Sequence, residues 1–230
     1  MFFDPVYFLF SLPALAFVLW AQYRVHSTYT RMSRISTYNG MSGARIARLL
    51  LDQAGLHQVP VERIPGELSD HYDPTQKVLR LSDAVFSGST VAAAGIVAHE
   101  CGHALQDQAR YAPLKLRAGL VPVASIGSNL GYLVFISGLM LAFKPLALAG
   151  IVMFSMAAVF ALVTLPVEFD ASRRALKLLN TQQILVGDEL VGARQVLHAA
   201  ALTYVAALAQ VLATLLYLLL QFSSLNRQDD

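Results

Sequence analysis

Four stretches of this chain carry no charged residue over a length that suits a bilayer. A spanning helix needs about 20 mostly apolar residues, and the stretches about Val6 to Tyr23, Leu120 to Phe143, Leu146 to Val167 and Ala199 to Phe222 all qualify. The first ends in Trp20 and Tyr23, the residue types that collect at the membrane–water interface. It is predicted to be a retained anchor and not a signal peptide: no basic segment leads into it, and no small-x-small cleavage site follows it.

Between these stretches the pattern changes to shorter periods. Asn39-Gly40 reads as a turn, and Ser42 can cap a helix running to about Ala54, where Ala47, Leu50, Leu51 and Ala54 recur at helical spacing before Gly55. Val59 to Ile64 is strand-like and is broken by Pro65-Gly66. His71-Tyr72 and Lys77 to Leu81 flank Asp73-Pro74-Thr75-Gln76, the pattern of a hairpin turn. Lys77 to Ser82 is read either as an ordinary strand of a small sheet or as an edge strand able to pair with an extended polypeptide through its main chain. Ser89 or Thr90 then caps a helix to about Gln108. The predicted organisation is a first spanning helix in 1–23, a polar unit in 24–118, two spanning helices in 119–167, a polar segment in 168–198, and a fourth spanning helix with a short tail in 199–230. The fold class is mainly α, with four transmembrane helices and a small α+β unit.

Composition supports the membrane reading. Of the 230 residues, 56% are hydrophobic and 14% charged, against roughly 45–50% and about 25% in soluble domains. The net charge of +2 gives no basis for a nucleic-acid partner, and a single cysteine excludes an intrachain disulfide. Lys and Arg fix an orientation. All but Lys144 and Arg227 of the 17 lie in 24–117 or in 173–194, which four spans place on one side. The positive-inside rule makes that side cytoplasmic and puts both termini outside.

The chemistry is concentrated in His99-Glu100-Cys101-Gly102-His103, an H-E-x-x-H pattern within the last helix of the polar unit. Residues four apart lie one turn apart on the same helix face, so two imidazoles can converge on one ion. Zinc suits such a pair. Glu100 lies next to the first histidine, where its carboxylate can accept a proton from a water at the metal and pass it to a leaving amine. The preceding run Val91 to Ala98 is small and apolar, so the motif helix should be buried, where an unpaired Glu and two His would be costly without a metal. Gly102 costs about 1 kcal/mol against alanine inside a helix, which close approach by another element would explain. Cys101 is read as a packing residue.

A catalytic zinc takes three protein ligands and keeps one position open. A third histidine six residues after the motif is ruled out, because Ala109 stands there. Glu168, at the end of the third span, is the best candidate; the alternative for it is an ion pair with Arg173 or Arg174. Asp170 and His198 are weaker rivals as ligand. Asp107, one turn after His103, is a candidate to orient it, and His71, Tyr72, Arg173 and Arg174 are candidates to stabilise an oxyanion.

Together, Gly43 to Ala47, Leu68 to Pro74, Val78 to Ser82, His99 to Gln106 and Pro166 to Ser172 resemble the YugP-type neutral zinc metallopeptidases, multi-pass bacterial membrane proteins. The resemblance covers nearly the whole chain. It implies a zincin-like unit in 24–118, one catalytic Zn2+, Glu168 as third ligand beside His99 and His103, and a bacterial cytoplasmic membrane location with the site facing the cytoplasm. More distantly the chain is similar to the HtpX and CAAX prenyl protease group, whose later Glu-x-x-Ala-Asp helix aligns with Glu168 to Ser172. Ser172 replaces the Asp that supports a zinc-binding histidine in those relatives, which puts that support in question.

These readings lead to a zinc-dependent endopeptidase at the cytoplasmic face, with Glu100 as general base and membrane or membrane-proximal polypeptides as substrates. A non-catalytic zinc-binding scaffold or chaperone is the alternative, against which Glu100 speaks. Cleavage inside the bilayer is a third reading, disfavoured by the polar residues Ser87 to Thr90 and Gln106 to Gln108 that flank the motif. Oligomeric state is not encoded in any feature of the sequence.

Overall fold

The structure, a computed structural model, describes residues 5–226. Residues 1–4 and 227–230, including Arg227 of the orientation argument and the short tail, lie outside the described residues. The chain is mainly helical. The order is α1 (Pro5–Met32), α2 (Gly43–Gln53), β1 (Val61–Ile64), β2 (His71–Asp73), β3 (Val78–Ser82), α3 (Asp83–Ser87), α4 (Val91–Gln108), α5 (Ala112–Met140), α6 (Lys144–Thr181) and α7 (Gly187–Asn226).

Four of these, α1, α5, α6 and α7, are long and apolar enough to cross a membrane. Helices α1, α6 and α7 each contain one of the uncharged stretches and run on past it, while α5 begins before its stretch and ends within it, at Met140. The extensions carry the polar chemistry: α6 continues through Pro166 to Thr181. Pro166 supplies no N–H, so the carbonyl one turn earlier loses its helical donor there.

The residues divide into two compact units. The first comprises the residues up to Ala21, Lys115–Pro166, and those from Thr203 on. Its buried cluster is small, built on Phe135, Ala147, Ile151, Phe154 and Leu218. Helix contact there is close because glycines permit it: a Cβ on Gly150 would collide with the Phe135 backbone. Many large apolar side chains, such as Leu133, Val152 and Leu162, point outward.

The second unit comprises Gln22–Leu114 and Val167–Leu202. Its core joins α2, the sheet, α4 and the polar parts of α6 and α7, with Leu50, Leu51, Leu79, Leu81, Leu179 and Leu185 fully buried. Each contributes about 1.5–3 kcal/mol by leaving water. The caps fall where the sequence places them. The Ser42 side chain accepts from the Arg45 N–H, and the Thr90 side chain accepts from the Ala93 N–H. Gly55, at φ +73°, takes the left-handed conformation that ends α2.

The sheet decides between the two readings of the strand before the motif helix. Its order is β1-β3-β2, with β1 parallel and β2 antiparallel to β3. The hairpin is present, pairing Tyr72 with Leu79 and Asp73 with Val78. The strand from Lys77 to Ser82 is therefore central and not an edge. A local hairpin reading could not see that Val61–Ile64 returns to cover its other side, and a strand paired on both sides has no free main chain to offer a substrate. The free edge next to the motif helix belongs to β2.

Candidate metal centre

Helix α4 presents the motif and α6 presents its complement. Residues Val91 to Gly95 of α4 are all buried, so small side chains let the helix sit deep in the second unit. Gly102 makes the closest approach: a Cβ there would lie 2.6 Å from the Ala171 carbonyl oxygen. The glycine inside the motif thus lets α4 and α6 touch, as the sequence suggested.

That contact sets three donors face to face. His99 Nε2 lies 3.1 Å and His103 Nε2 3.6 Å from Glu168 Oε2. One atom from each of the three residues falls within 4.8 Å of the other two, a grouping that could hold a metal ion. Glu168 is 2% exposed and His103 8% exposed. Burial of a carboxylate at that level requires compensating partners, and the two imidazoles provide them. Arg174, one of the two arginines considered from the sequence as a partner of Glu168, is bonded to Asp170 at 2.6 Å. Asp170 faces Arg174 and Gln106 and stands apart from the donor grouping, and His198 is exposed on α7.

The donor set fits zinc on its own chemistry. Two imidazole nitrogens and one carboxylate oxygen form a common three-ligand set for a catalytic zinc. The outer nitrogens of both rings are engaged elsewhere, which leaves each Nε2 directed inward. Ser172 Oγ lies 3.2 Å from His99 Nδ1, so the serine that replaces an aspartate still meets the ring. Gln106 Oε1 lies 2.9 Å from His103 Nδ1. Asp107, a candidate to orient His103, instead accepts from the Tyr72 hydroxyl at 2.7 Å and pairs with Lys77.

Glu100 is nine-tenths buried and its Oε2 accepts the Tyr72 main-chain N–H at 2.9 Å. The outward-facing edge of β2 thus holds this carboxylate in place. Burial pushes the Glu100 carboxyl up, with His99 and His103 pulling the other way. For His103, burial opposes the charged ring, but hydrogen bonding to Glu168 and the neighbouring Glu100 outweigh it and the pKa is raised. Burial, with Asp107 as acceptor, pushes the Tyr72 phenol well up, and burial likewise keeps the Cys101 thiol protonated and inert. Tyr72 and Arg174 are both committed to carboxylates.

Two elements of this site are not legible in the sequence. Gln106 reads in the sequence as part of a polar flank with Asp107 and Gln108, yet it is fully buried. The hold on Glu100 comes from a backbone N–H, which leaves no side-chain signature.

Comparison with known proteins bears on this geometry. Residues 7–223 match a family described as "Putative neutral zinc metallopeptidase". The chain is 41% identical over 225 residues to a Bacillus subtilis (strain 168) protein named "Putative membrane protease YugP", covering 98% of this chain and 99% of that one. No solved structure matches.

Proposed function

Since the chain belongs to the neutral zinc metallopeptidase family, we propose that it is a zinc-dependent endopeptidase of the membrane, with His99, His103 and Glu168 holding one zinc ion and Glu100 acting as general base. The observation that carries this reading is the meeting of those three donors beside a carboxylate pinned by a main-chain N–H. A bound zinc supplies Lewis acidity, polarising the scissile carbonyl and bringing the pKa of water toward neutrality.

The chain's own residues do the rest. Glu100 takes a proton from the attacking water and returns it to the leaving amine. The Tyr72 N–H keeps Oε2 in position and leaves Oε1 for the water. Ser172 and Gln106 hold the two imidazoles. A purely structural zinc would have no need of a buried Glu100, which speaks against the scaffold alternative.

The same reading makes 24–118 and 168–198 a zincin-like catalytic unit and assigns 1–23, 119–167 and 199–230 to the bilayer. The distribution of basic residues supports a site at the cytoplasmic face of the membrane with the termini outside, and the bacterial relative supports an inner-membrane location. Polypeptides reaching that surface, membrane proteins among them, are the substrates. The relative's name as a membrane protease supports the peptide bond as the bond cleaved. The test is casein cleavage by detergent-purified wild type and Glu100→Gln, with metal content measured on both. Equal zinc with cleavage in wild type alone is expected. Equal cleavage by both would remove Glu100 from the mechanism, and equal zinc without cleavage in either would favour the scaffold.

A further inference from the structure

Gln106 is the most deeply buried polar side chain near the donor group, with no exposed surface, and every hydrogen-bonding atom of its amide is used. Nε2 donates to the Val167 carbonyl at 2.8 Å and to Asp170 Oδ2 at 2.9 Å, while Oε1 faces His103 Nδ1 at 2.9 Å. A carboxamide has two N–H donors on one side and an acceptor oxygen on the other. Val167 O is an acceptor only, and Asp170, ionised beside Arg174, is also an acceptor only. Turning the amide over would set oxygen against two oxygens. Its orientation is therefore fixed by α6, and an oxygen must face His103.

We propose that Gln106 is the positioning residue of the metal centre: it selects the His103 tautomer with hydrogen on Nδ1, so that the Nε2 lone pair is directed at the metal. An oxygen opposite Nδ1 requires that nitrogen to be the donor, which leaves Nε2 as the unprotonated ligand atom. The chain of dependence runs from Tyr111, over whose ring Arg174 lies at 5.9 Å, through Arg174 to Asp170, then to Gln106 and His103. Each member is oriented by the one before it. Gln106 also ties α4 to the turn of α6 that carries Glu168, because Val167 precedes that ligand. One amide thus orients one ligand and holds the register of another.

The serine on His99 cannot do the same. A hydroxyl donates or accepts as its neighbour demands, so Ser172 supports the ring without choosing its tautomer. The selection falls on Gln106 alone of the two.

The inference rests on the reading of His103 as a zinc ligand, and its test separates the two. Full-length protein in detergent is prepared as wild type, Gln106→Met, Gln106→Glu, Asp170→Asn, and the Gln106→Glu/Asp170→Asn double variant. Zinc affinity is measured by competition with a chromogenic chelator, and the His103 tautomer is read by 15N NMR of histidine-labelled, metal-free protein at a pH alkaline enough for the ring to be neutral. Gln106→Met, which fills the space without hydrogen bonds, is expected to bind zinc roughly 10–100-fold more weakly and to lose the pure Nδ1–H signature. Gln106→Glu places a carboxylate against Asp170 and should weaken binding similarly. In the double variant the amide introduced at position 170 can donate to the carboxylate introduced at position 106. That carboxylate still accepts from His103, so affinity should recover at least in part and the Nδ1–H tautomer should return. A residue that merely packs would give no such rescue. Wild-type affinity and tautomer in Gln106→Met would overturn the inference, as would a double variant no better than either single one. Should Gln106→Met fail to fold, unchanged affinity and tautomer in both Asp170→Asn and Gln106→Glu would overturn it equally. If wild type binds no zinc, the metal reading fails, while the tautomer measurement still decides the Gln106 assignment.

Discussion

The two units of this molecule use the same kinds of long helix and bury them differently. In the first, large apolar side chains such as Leu133 (60% exposed) and Val152 (59%) face outward, and the buried cluster is small. In the second, comparable side chains are drawn into one large core, and the polar groups that go in with them are tied to partners. A helix facing lipid gains nothing by hiding leucine, so its contacts depend on small residues and shape. A helix facing water must hide leucine, and the rigid frame that results can hold a buried carboxylate between two imidazoles. The difference shows why α6 matters: it is apolar before Pro166 and carries Glu168, Asp170 and Ser172 directly after it.

This contrast can be broken most severely at the donors. His103→Ala or Glu168→Gln should lower zinc affinity by more than the roughly 10–100-fold typical of a partner one bond further out. Metal content after dialysis is the check, and the first unit should be unaffected. Next in size is a matched pair of charged substitutions. Leu133→Lys, at the middle of a proposed span, should cost about 2.5–3.5 kcal/mol in membrane insertion. Val191→Lys, similarly outward-facing on the part of α7 that belongs to the second unit (50% exposed), should change stability by no more than about 0.5 kcal/mol. Insertion assays and thermal unfolding would read the two, and equal costs would erase the distinction between the units.

Glycine sharpens it further. Gly102→Val should lose on the order of 1–3 kcal/mol or more, because its Cβ would lie 2.6 Å from Ala171 O, and zinc should be lost with the helix contact. Gly119→Ala, with nothing near its Cβ position, should instead gain up to about 1 kcal/mol. Thr90→Ala, which removes the cap of the motif helix, should cost about 1 kcal/mol and leave the metal in place. Thermal unfolding in detergent measures all three.

Much of this architecture can be read from residue order. The four uncharged stretches, the capped helices beginning after Ser42 and Thr90, and the β2–β3 hairpin all follow from local pattern, and Gly102 announces a close helix contact. The unread parts depend on residues distant in the chain. Nothing near Lys77 to Ser82 reveals that Val61–Ile64 lies along its far side. Nothing near Glu100 reveals that a main-chain N–H from Tyr72 will hold it. Asp107 looks like the partner of His103 because of its charge and spacing, yet Gln106 takes that place: its side chain turns toward α6, where Val167 and Asp170 bind it, while Asp107 turns toward β2.

The central claim is that His99, His103 and Glu168 hold one zinc. X-ray absorption at the zinc edge, on full-length protein purified in detergent without added chelator, tests it most directly. The expected result is one zinc per chain with two imidazole nitrogens and oxygen ligands at about 2.0–2.2 Å, falling away in Glu168→Gln and His103→Ala. A zinc site with sulfur ligation, or one that survives both substitutions unchanged, would contradict the account.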